Sequence, residues 1–400
     1  MRRILFAAAA AAGLASPAPF FPVLAQNFDP EPPAGRDIST DAGDVRRPAG
    51  GLSYPHLTGE IELQMQADKL VKAPSGTNRN ANVFSDSEAN FGLFLTRELS
   101  LQTTFHLDQV KEQEKGGFLR GQALFLEQAF VNYETGRFAA YAGKFNPQFG
   151  MFWDRAPGVY GDAFSKEDYQ LTEAIGAGGA IKVDTLSFGS HELGAAGWFK
   201  DNSPLSWSLI NRPSFGAETS LRLGQNRRAY GGAGNTAGPQ SWSASLRGDQ
   251  FAVAPNLAYN LDFSSLAPGV DGTARQQMLA AGLQYQVPMP KGWKLVPLAE
   301  YVRIWHVDGD PASVRQDRTL VNAGLALGWK KWTLSGVMGW RNSDAPSDGS
   351  AEAARDRLTT VSLGYEFDFG LELQAGWART RVAGDTTQSL GALATYRYRF

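Results

Sequence analysis

The chain closes with SLGALATYRYRF, Ser389 to Phe400, where apolar side chains alternate with polar or small ones and only Leu393 breaks the alternation. A period of two residues is typical of a β-strand, whose side chains point alternately to opposite faces. One face ends in three aromatic rings, whereas the other carries Arg397 and Arg399. This pattern predicts a strand between lipid and a wet interior, with a half-buried edge strand of a soluble sheet as the alternative.

The same segment resembles the terminal aromatic signature of bacterial outer-membrane β-barrels. The resemblance implies that Tyr396, Tyr398 and Phe400 form an assembly signal and that the barrel assembly machinery is a partner. It also implies a location in the bacterial outer membrane, in contact with its lipid.

The opposite end of the chain has the features of an export signal. Arg2 and Arg3 give a positive start, residues 4–15 form an apolar core too short to span a bilayer, and residues 23–25 are a small-residue cleavage site. We therefore predict a signal peptide over 1–25. Earlier cleavage or a retained anchor is the alternative.

Composition narrows the class of protein. After the signal, no stretch approaches the roughly 20 consecutive apolar residues of a transmembrane helix, although 43% of the chain is hydrophobic. The chain has no cysteine, which excludes a disulfide scaffold and thiolate metal sites. A net charge of −2 gives no reason to expect nucleic acid as a partner.

Residues 26–53 are rich in Pro, Gly, Asp and Arg and show no apolar period, so we predict a flexible periplasmic segment there. Residues 54–400 show period-two alternation interrupted by turn residues, which predicts about sixteen strands. The predicted spans are 54–70, 88–97, 99–112, 119–134, 137–148, 171–184, 186–200, 240–251, 254–264, 274–287, 292–308, 317–329, 331–342, 355–368, 370–383 and 387–400.

The predicted connections alternate between short and long along the whole region. Outer-membrane barrels have short periplasmic turns and longer extracellular loops, whereas a soluble sandwich or propeller does not require this alternation. Trp332 and Trp340 share one face eight residues apart, the spacing of the two aromatic girdles of a barrel. We predict an all-β fold, a transmembrane antiparallel up-and-down β-barrel of about 16 strands.

Two neighbouring segments carry a family resemblance, Phe125 to Tyr133 and Tyr141 to Gly150. Together they resemble a strand-turn hairpin of porins related to the phosphate-selective group. The resemblance implies a homotrimeric porin of sixteen strands whose long third loop folds inward. It does not imply phosphate selectivity, because the basic residues predicted to face the lumen are scattered among acidic ones.

A barrel of this size encloses an aqueous lumen unless loops fold into it. The third loop, 150–170, is the predicted constriction, with an exposed external loop as the alternative. The predicted function is passive diffusion of small hydrophilic solutes or ions through this narrowed channel. The candidate constriction residues are Asp154, Arg155, Asp162 and Lys166 in the loop and Lys144, Arg247 and Arg303 on the wall, with Arg303 able to face either way.

Two other functions stay open at this point. Aromatic residues of the third loop, Trp153, Tyr160, Phe164 and Tyr169, would suit specific uptake of a sugar, phosphate or siderophore. An outer-membrane enzyme would need a histidine beside a nucleophile, and no such signature is present. No cofactor is indicated. Arginines of the segment 201–239 are expected to contact lipopolysaccharide.

Overall fold

The computed structural model describes residues 53–74, 77, 80–110, 116–185, 187–211, 226–272, 274–309, 315–347, 349 and 352–400. The predicted signal peptide, 1–25, and nearly all of the predicted periplasmic segment, 26–53, lie outside these residues. Within the described residues, no helix is long and apolar enough to cross a membrane.

The described residues form mainly β-strands, with short helices in the connections. The strands are β1 (His56–Lys72), β2 (Asn82–Ser85), β3 (Ser87–Phe94), β4 (Leu99–Gln109), β5 (Gly117–Phe118), β6 (Gln122–Glu134), β7 (Phe138–Phe145), β8 (Ala174–Thr185), β9 (Gly189–Lys200), β10 (Ser208–Asn211), β11 (Ser241–Asp249), β12 (Leu257–Leu266), β13 (Gln276–Tyr285), β14 (Trp293–Trp305), β15 (Arg318–Trp329), β16 (Trp332–Ser343), β17 (Ala354–Glu366), β18 (Leu371–Val382) and β19 (Asp385–Arg399). The helices are α1 (Phe152–Arg155) and α2 (Ala163–Tyr169), and 3-10 turns span Pro204–Ser206, Arg228–Tyr230 and Val307–Gly309.

These strands form one closed antiparallel barrel. β1 pairs with β19 along most of its length, with Glu60 opposite Arg399. The backbone of Phe400 completes the seam by exchanging two 3.0 Å hydrogen bonds with Gly59. Within the described residues the wall has 16 strands, because three of the labelled strands do not count separately. β2 and β3 form one wall strand, β5 is a short piece that pairs with β2 in parallel, and β10 is a short addition to β6. The predicted fold class and strand count are confirmed.

The second wall strand differs most from its predicted span. It was expected over 88–97, whereas β2 begins at Asn82. The polar run around Asp86 hides the apolar alternation there. The hydroxyls of Ser85 and Ser87 both donate to the carbonyl of Gln64, at 2.8 and 3.2 Å, so polar side chains hold this part of the ladder to β1.

The two faces of the wall carry the predicted chemistry. Leu63 and Leu261 point outward and are 55% and 47% exposed, whereas Glu62 and Asp262 point inward and are buried. Aromatic pairs lie at the ends of strands, as with Trp293 stacked on Trp329 at a centroid separation of 5.7 Å. The wall therefore presents apolar and aromatic side chains outward and polar ones inward, as a barrel in lipid requires.

A hydrophobic core lies inside the barrel. It combines rings of the connection between β7 and β8, among them Phe149, Trp153 and Phe164, with wall residues such as Val302 and Leu320. A lumen lined only by polar side chains would hold water. Here a segment of chain has entered it and brought its own apolar surface.

Candidate pore constriction

The third loop turns into the lumen directly after β7. The side chain of Asn146 donates to Glu127 Oε1 on β6 at 2.7 Å, and the Asn146 amide donates to Gln128 Oε1 at 3.3 Å. Gly150 has φ +74°, and a Cβ there would lie 2.8 Å from the ring of Tyr169. A residue without a side chain is needed at this turn because of both its conformation and its packing.

Two inward carboxylates of the wall hold the start of the loop. Asp262 on β12 accepts a 2.8 Å hydrogen bond from the amide of Gly150. Glu300 on β14 accepts from the amides of Met151 and Phe152 at 2.6 and 3.2 Å. Buried backbone donors need partners, and these acids provide them. Asp262 and Glu300 thus anchor the loop.

The loop then crosses to the opposite side of the barrel. The amide of Val159 donates to Ser362 Oγ on β17 at 2.9 Å. The hydroxyl of Tyr160 donates to Asp68 Oδ1 on β1 at 2.8 Å. The segment from Gly150 to Tyr169 therefore runs through the lumen and narrows it, as the sequence predicted for this loop.

The end of the loop is held by charged side chains. Arg341 on β16 contacts Glu167 and Asp168 of α2, both at 3.2 Å, and Arg318 on β15 pairs with Asp168. Arg341 also lies over the ring of Phe164, 4.6 Å from its centroid. Arginines on two neighbouring strands thus fix the returning helix against the wall.

Lys166 joins the loop to a buried ionic network. Its ammonium is 3.0 Å from Asp86, which also contacts His106, and the other ring nitrogen of His106 lies 2.8 Å from Glu127. Burial alone would lower the pKa of Lys166, but the carboxylates of Asp86, Asp108 and Asp162 raise it above its ordinary value. Lys166 is therefore a loop anchor. The network around His106 was not predicted from the sequence, because its members are up to 80 positions apart.

His106 has enough carboxylate neighbours for a cation site. Asp86, His106 and Asp108 have ligand atoms within 4.8 Å of one another, and so do Glu88, His106 and Glu127. However, His106 contacts a carboxylate through each ring nitrogen, and Asp86 is also paired with Lys166. Positive charge from the protein itself therefore occupies the position that a metal ion would take.

Asp162 is buried beside this network. It is 1% exposed, and its Oδ1 has no hydrogen-bond partner among the described residues. Burial raises the pKa of Asp162 well above its usual value. The carboxylate is therefore enclosed by protein and does not face a water path, unlike the role that the sequence suggested.

Two of the predicted wall cations lie elsewhere. Lys144 is fully buried in a triad with Glu173 and Asp201, at 2.6 and 2.9 Å, and does not contact the acids of the loop. Arg303 points to the outer face of β14, together with the exposed Tyr301, and pairs with Asp317. The expectation that both residues face the constriction is wrong. Period-two alternation did not decide on which face of the wall Arg303 lies. Lys144 does not reach the constriction because the chain around Pro204 covers it.

Arg155 and Arg247 line the same open cavity beside the loop. Arg155 donates to Gln284 Oε1 at 2.7 Å, and Arg247 donates to the carbonyl of Gly150 at 3.3 Å. Asp154 is half-buried, with its carboxylate 3.9 Å from Arg155 Nε. The carboxylate of Asp154 is thus the more exposed member of this pair, since Arg155 is only 7% exposed.

An open cavity lies between the loop and the wall formed by β8, β9, β11 and β12. Its lining combines cations and acids with amide and hydroxyl groups. Glu192 is the cross-strand partner of both Lys182 and Arg247, so opposite charges alternate along the wall. The main polar lining residues are Gln148, Arg155, Lys182, Ser190, Glu192, Arg247, Asp249 and Tyr259.

Glu192 was not predicted from the sequence, although its inward phase could have been read from its alternation with Leu193. The basic residues expected at lipopolysaccharide divide into two groups. Arg227 and Arg228 are exposed near the Arg228–Tyr230 turn, whereas Arg212 and Arg222 lie outside the described residues.

Comparison with known proteins establishes the fold. No protein-family model and no curated protein matches the sequence. Pseudomonas putida OprB is similar in structure, with TM-score 0.60, 10% identity, and 86% of this chain and 94% of that chain covered. The outer membrane channel DcaP of Acinetobacter baumannii gives TM-score 0.57 at 10% identity, covering 86% and 97%.

A trimer form of OmpT from Vibrio cholerae, folded in vitro, gives TM-score 0.51 at 10% identity, covering 86% and 99% of the two chains. The fold is that of bacterial outer-membrane barrels. The narrower resemblance to phosphate-selective porins stays a prediction.

Proposed function

We propose that the protein is an outer-membrane porin that lets small hydrophilic solutes or ions diffuse through the passage beside its third loop. One observation carries this proposal: a loop that crosses the lumen leaves an open cavity lined by Arg155, Lys182, Glu192 and Arg247. The barrel exposes apolar residues on its outer face, and the solved structures of similar fold include an outer membrane channel.

The charges of the passage explain how it would select solutes. Arg155 comes from the loop, whereas Lys182 and Arg247 come from the wall with Glu192 between them. Charges that line a narrow passage act on ions within a Debye length, roughly 8 Å at physiological salt, so salt screens them little. The resulting field orients water and disfavours apolar solutes.

Neutralising the two arginines tests the proposal. In planar bilayers, Arg155→Gln with Arg247→Gln is expected to shift the reversal potential toward cations, because two of the cations that face the passage are lost. The matched control, Arg97→Gln with Arg137→Gln, removes two exposed arginines from short turns and should leave selectivity unchanged. A parent protein without conductance steps, or arginine variants with the parent reversal potential, would contradict the proposal.

The alternatives have less support from the described side chains. Tyr160, Phe164 and Tyr169 are at most 2% exposed and Trp153 is 6% exposed, so these rings form loop packing and do not line the passage. Specific uptake through an aromatic path therefore loses its sequence argument. No described histidine is hydrogen-bonded to a serine hydroxyl, so the geometry of a hydrolytic triad has no support either.

We propose further that the chain is a homotrimer. A patch of small residues lies on the outer face of four neighbouring strands, β7, β8, β9 and β11, where another wall could approach closely. Ala142 lies opposite Ala177, which lies opposite Gly197. The members of this small-residue face are Ala140, Ala142, Ala177, Gly179, Ala195, Gly197 and Ala244.

A bulky residue should separate the subunits. Ala177→Trp is expected to convert the trimer to monomer on native gels because the indole prevents close approach, while the barrel stays folded. Leu283→Trp is the control, since Leu283 is 57% exposed on the outer face of β13, away from this patch. An unchanged trimer in Ala177→Trp would mean that the small residues serve the curvature of the sheet.

The assembly signal stays a proposal. The ring of Phe400 is 47% exposed and contacts Phe91 and Tyr398 at centroid separations of 6.2 and 5.9 Å. Deleting Phe400 removes at most a few kcal/mol of apolar burial and two hydrogen bonds at the end of the β1–β19 seam. The rest of that seam remains, so the purified barrel should stay folded, whereas its amount in cells should fall. Phe369→Ala, at an exposed ring in a short turn, is the control. Equal cellular amounts of both variants would argue against a signal at this residue.

A further inference from the structure

Four arginines project from the outer surface of the barrel at the end that carries the long loops. Arg355 and Arg357 lie on β17, where they alternate with the inward-facing Asp356, and Arg379 and Arg381 lie on β18. All four arginines are exposed, whereas Asp356 is buried. Their guanidinium groups therefore belong to the membrane side of the wall.

The register brings these arginines together. Arg357 is the direct cross-strand partner of Arg381, and side chains in such pairs have Cβ atoms about 5 Å apart. Arg355 and Arg379 are the next outward positions along their strands, roughly 7 Å away. Like charges placed directly opposite each other repel and weaken a sheet. An anion bound from outside the protein would reduce this repulsion between the arginines.

The protein itself does not supply that anion within the described residues. Arg303, on the outer face of β14, is paired with Asp317 at 3.0 Å and Asp344 at 3.2 Å. By contrast, no described carboxylate forms an ion pair with any of the four arginines on β17 and β18. The nearest acid in sequence, Asp356, points inward and pairs with Arg341 at 3.0 Å.

Aromatic residues indicate the depth of the patch in the membrane. Trp340 on β16 is the cross-strand partner of Arg357, and Trp377 lies on the outer face of β18 two positions before Arg379. Tryptophan side chains of a barrel mark the interface between hydrocarbon and headgroups. Arg357 and Arg381 share the register position of Trp340, and Arg355 lies one outward position further toward the long-loop end, which places the patch at the level of the headgroups of the outer leaflet.

We propose that Arg355, Arg357, Arg379 and Arg381 form a binding surface for the phosphate groups of lipopolysaccharide. Guanidinium groups bind phosphate oxygens through paired, charge-assisted hydrogen bonds, and adjacent arginines can share one phosphate. The surface lies on the lipid side of β17 and β18, whereas the passage lies beside β8 to β12. Lipid binding here is therefore independent of which solute the channel carries.

Binding of phosphorylated lipid A to the full-length protein in detergent tests the proposal by titration or native mass spectrometry. Arg357→Gln with Arg381→Gln is expected to weaken binding about 25-fold, since each basic residue near an anionic lipid surface contributes about fivefold. Arg357→Lys with Arg381→Lys should lose less because the charge is kept. Arg97→Gln with Arg137→Gln, at the opposite end, should bind like the parent.

Each variant is first checked for folding by its shift on unheated gels, and Arg355→Gln with Arg379→Gln replaces the central pair if that pair does not fold. Selective binding of phosphorylated over dephosphorylated lipid A, lost in the glutamine variants alone, supports the proposal. Equal binding of both lipids, or parent affinity in the glutamine variants, overturns it. A changed oligomeric state with unchanged lipid binding also overturns it, and would assign the patch to contact between copies.

Discussion

Replacing residues 152–166 by a short Gly-Ser linker should raise the single-channel conductance several-fold and reduce ion selectivity. This segment includes the buried Phe152, Val159 and Tyr160, which pack inside the lumen against wall strands from β14 to β19. Its removal replaces packed side chains by water across much of the barrel cross-section. The arginines of the wall would then face a wide aqueous lumen, where their field is weaker.

The linker variant needs a matched deletion that spares the lumen. Deleting 268–272, most of whose residues are exposed in the connection between β12 and β13, should leave the conductance near that of the parent. Gel shift and strand-type circular dichroism should show a folded barrel in both variants. If the linker variant conducts like the parent, ions pass by a route that the loop does not narrow.

Lys166→Met should lower the free energy of unfolding by about 3–5 kcal/mol, the usual cost of removing one partner of a buried ion pair. Lys166 is 15% exposed and its partner Asp86 is 2% exposed. The methionine would leave Asp86 and Asp108 without this neutralising charge. Because the carboxylates raise the pKa of Lys166 in the folded protein, the ion pair stabilises fully below pH 10 and is lost only as pH rises through the raised pKa.

Urea unfolding in lipid vesicles at neutral pH measures this loss. Lys72→Met, at an exposed residue near the long-loop end, controls for the removal of one positive charge and should leave the free energy of unfolding almost unchanged. Lys166→Arg keeps the charge and should recover part of the stability. If Lys166→Met unfolds at the same urea concentration as Lys72→Met, and the currents of the two open channels fluctuate equally, Lys166 does not anchor the loop.

The fold was predictable because the face of the sheet toward which a strand side chain points depends only on neighbouring positions in the sequence. In β12 the outward Leu261 and inward Asp262 follow from alternation alone, and in β19 Tyr398 and Arg397 do so equally. Turn residues then divide the chain into strands with little ambiguity. The prediction lost accuracy at β2, where polar residues stand on both sides of Asp86 and no apolar alternation marks the strand.

The constriction was predictable only in outline. Aromatic and charged residues after the turn at Gly150 suggested an inserted loop, and Arg155 and Arg247 lie on the open cavity beside that loop. Lys144, of the same residue type as Lys182, is instead enclosed by Glu173 and Asp201. A charged residue reaches water or a counterion according to what covers it, and sequence alternation carries no information about the covering chain.

The sequence by itself therefore determined an antiparallel barrel, its number of wall strands and the side on which most wall residues stand, because a two-residue period acts over neighbouring positions. Only the tertiary structure decided which charges border the passage. Val159 meets Ser362 across 203 positions of chain, and Glu192 meets Arg247 through strand pairing. Such contacts depend on closure of the barrel and on how the inserted loop fills it.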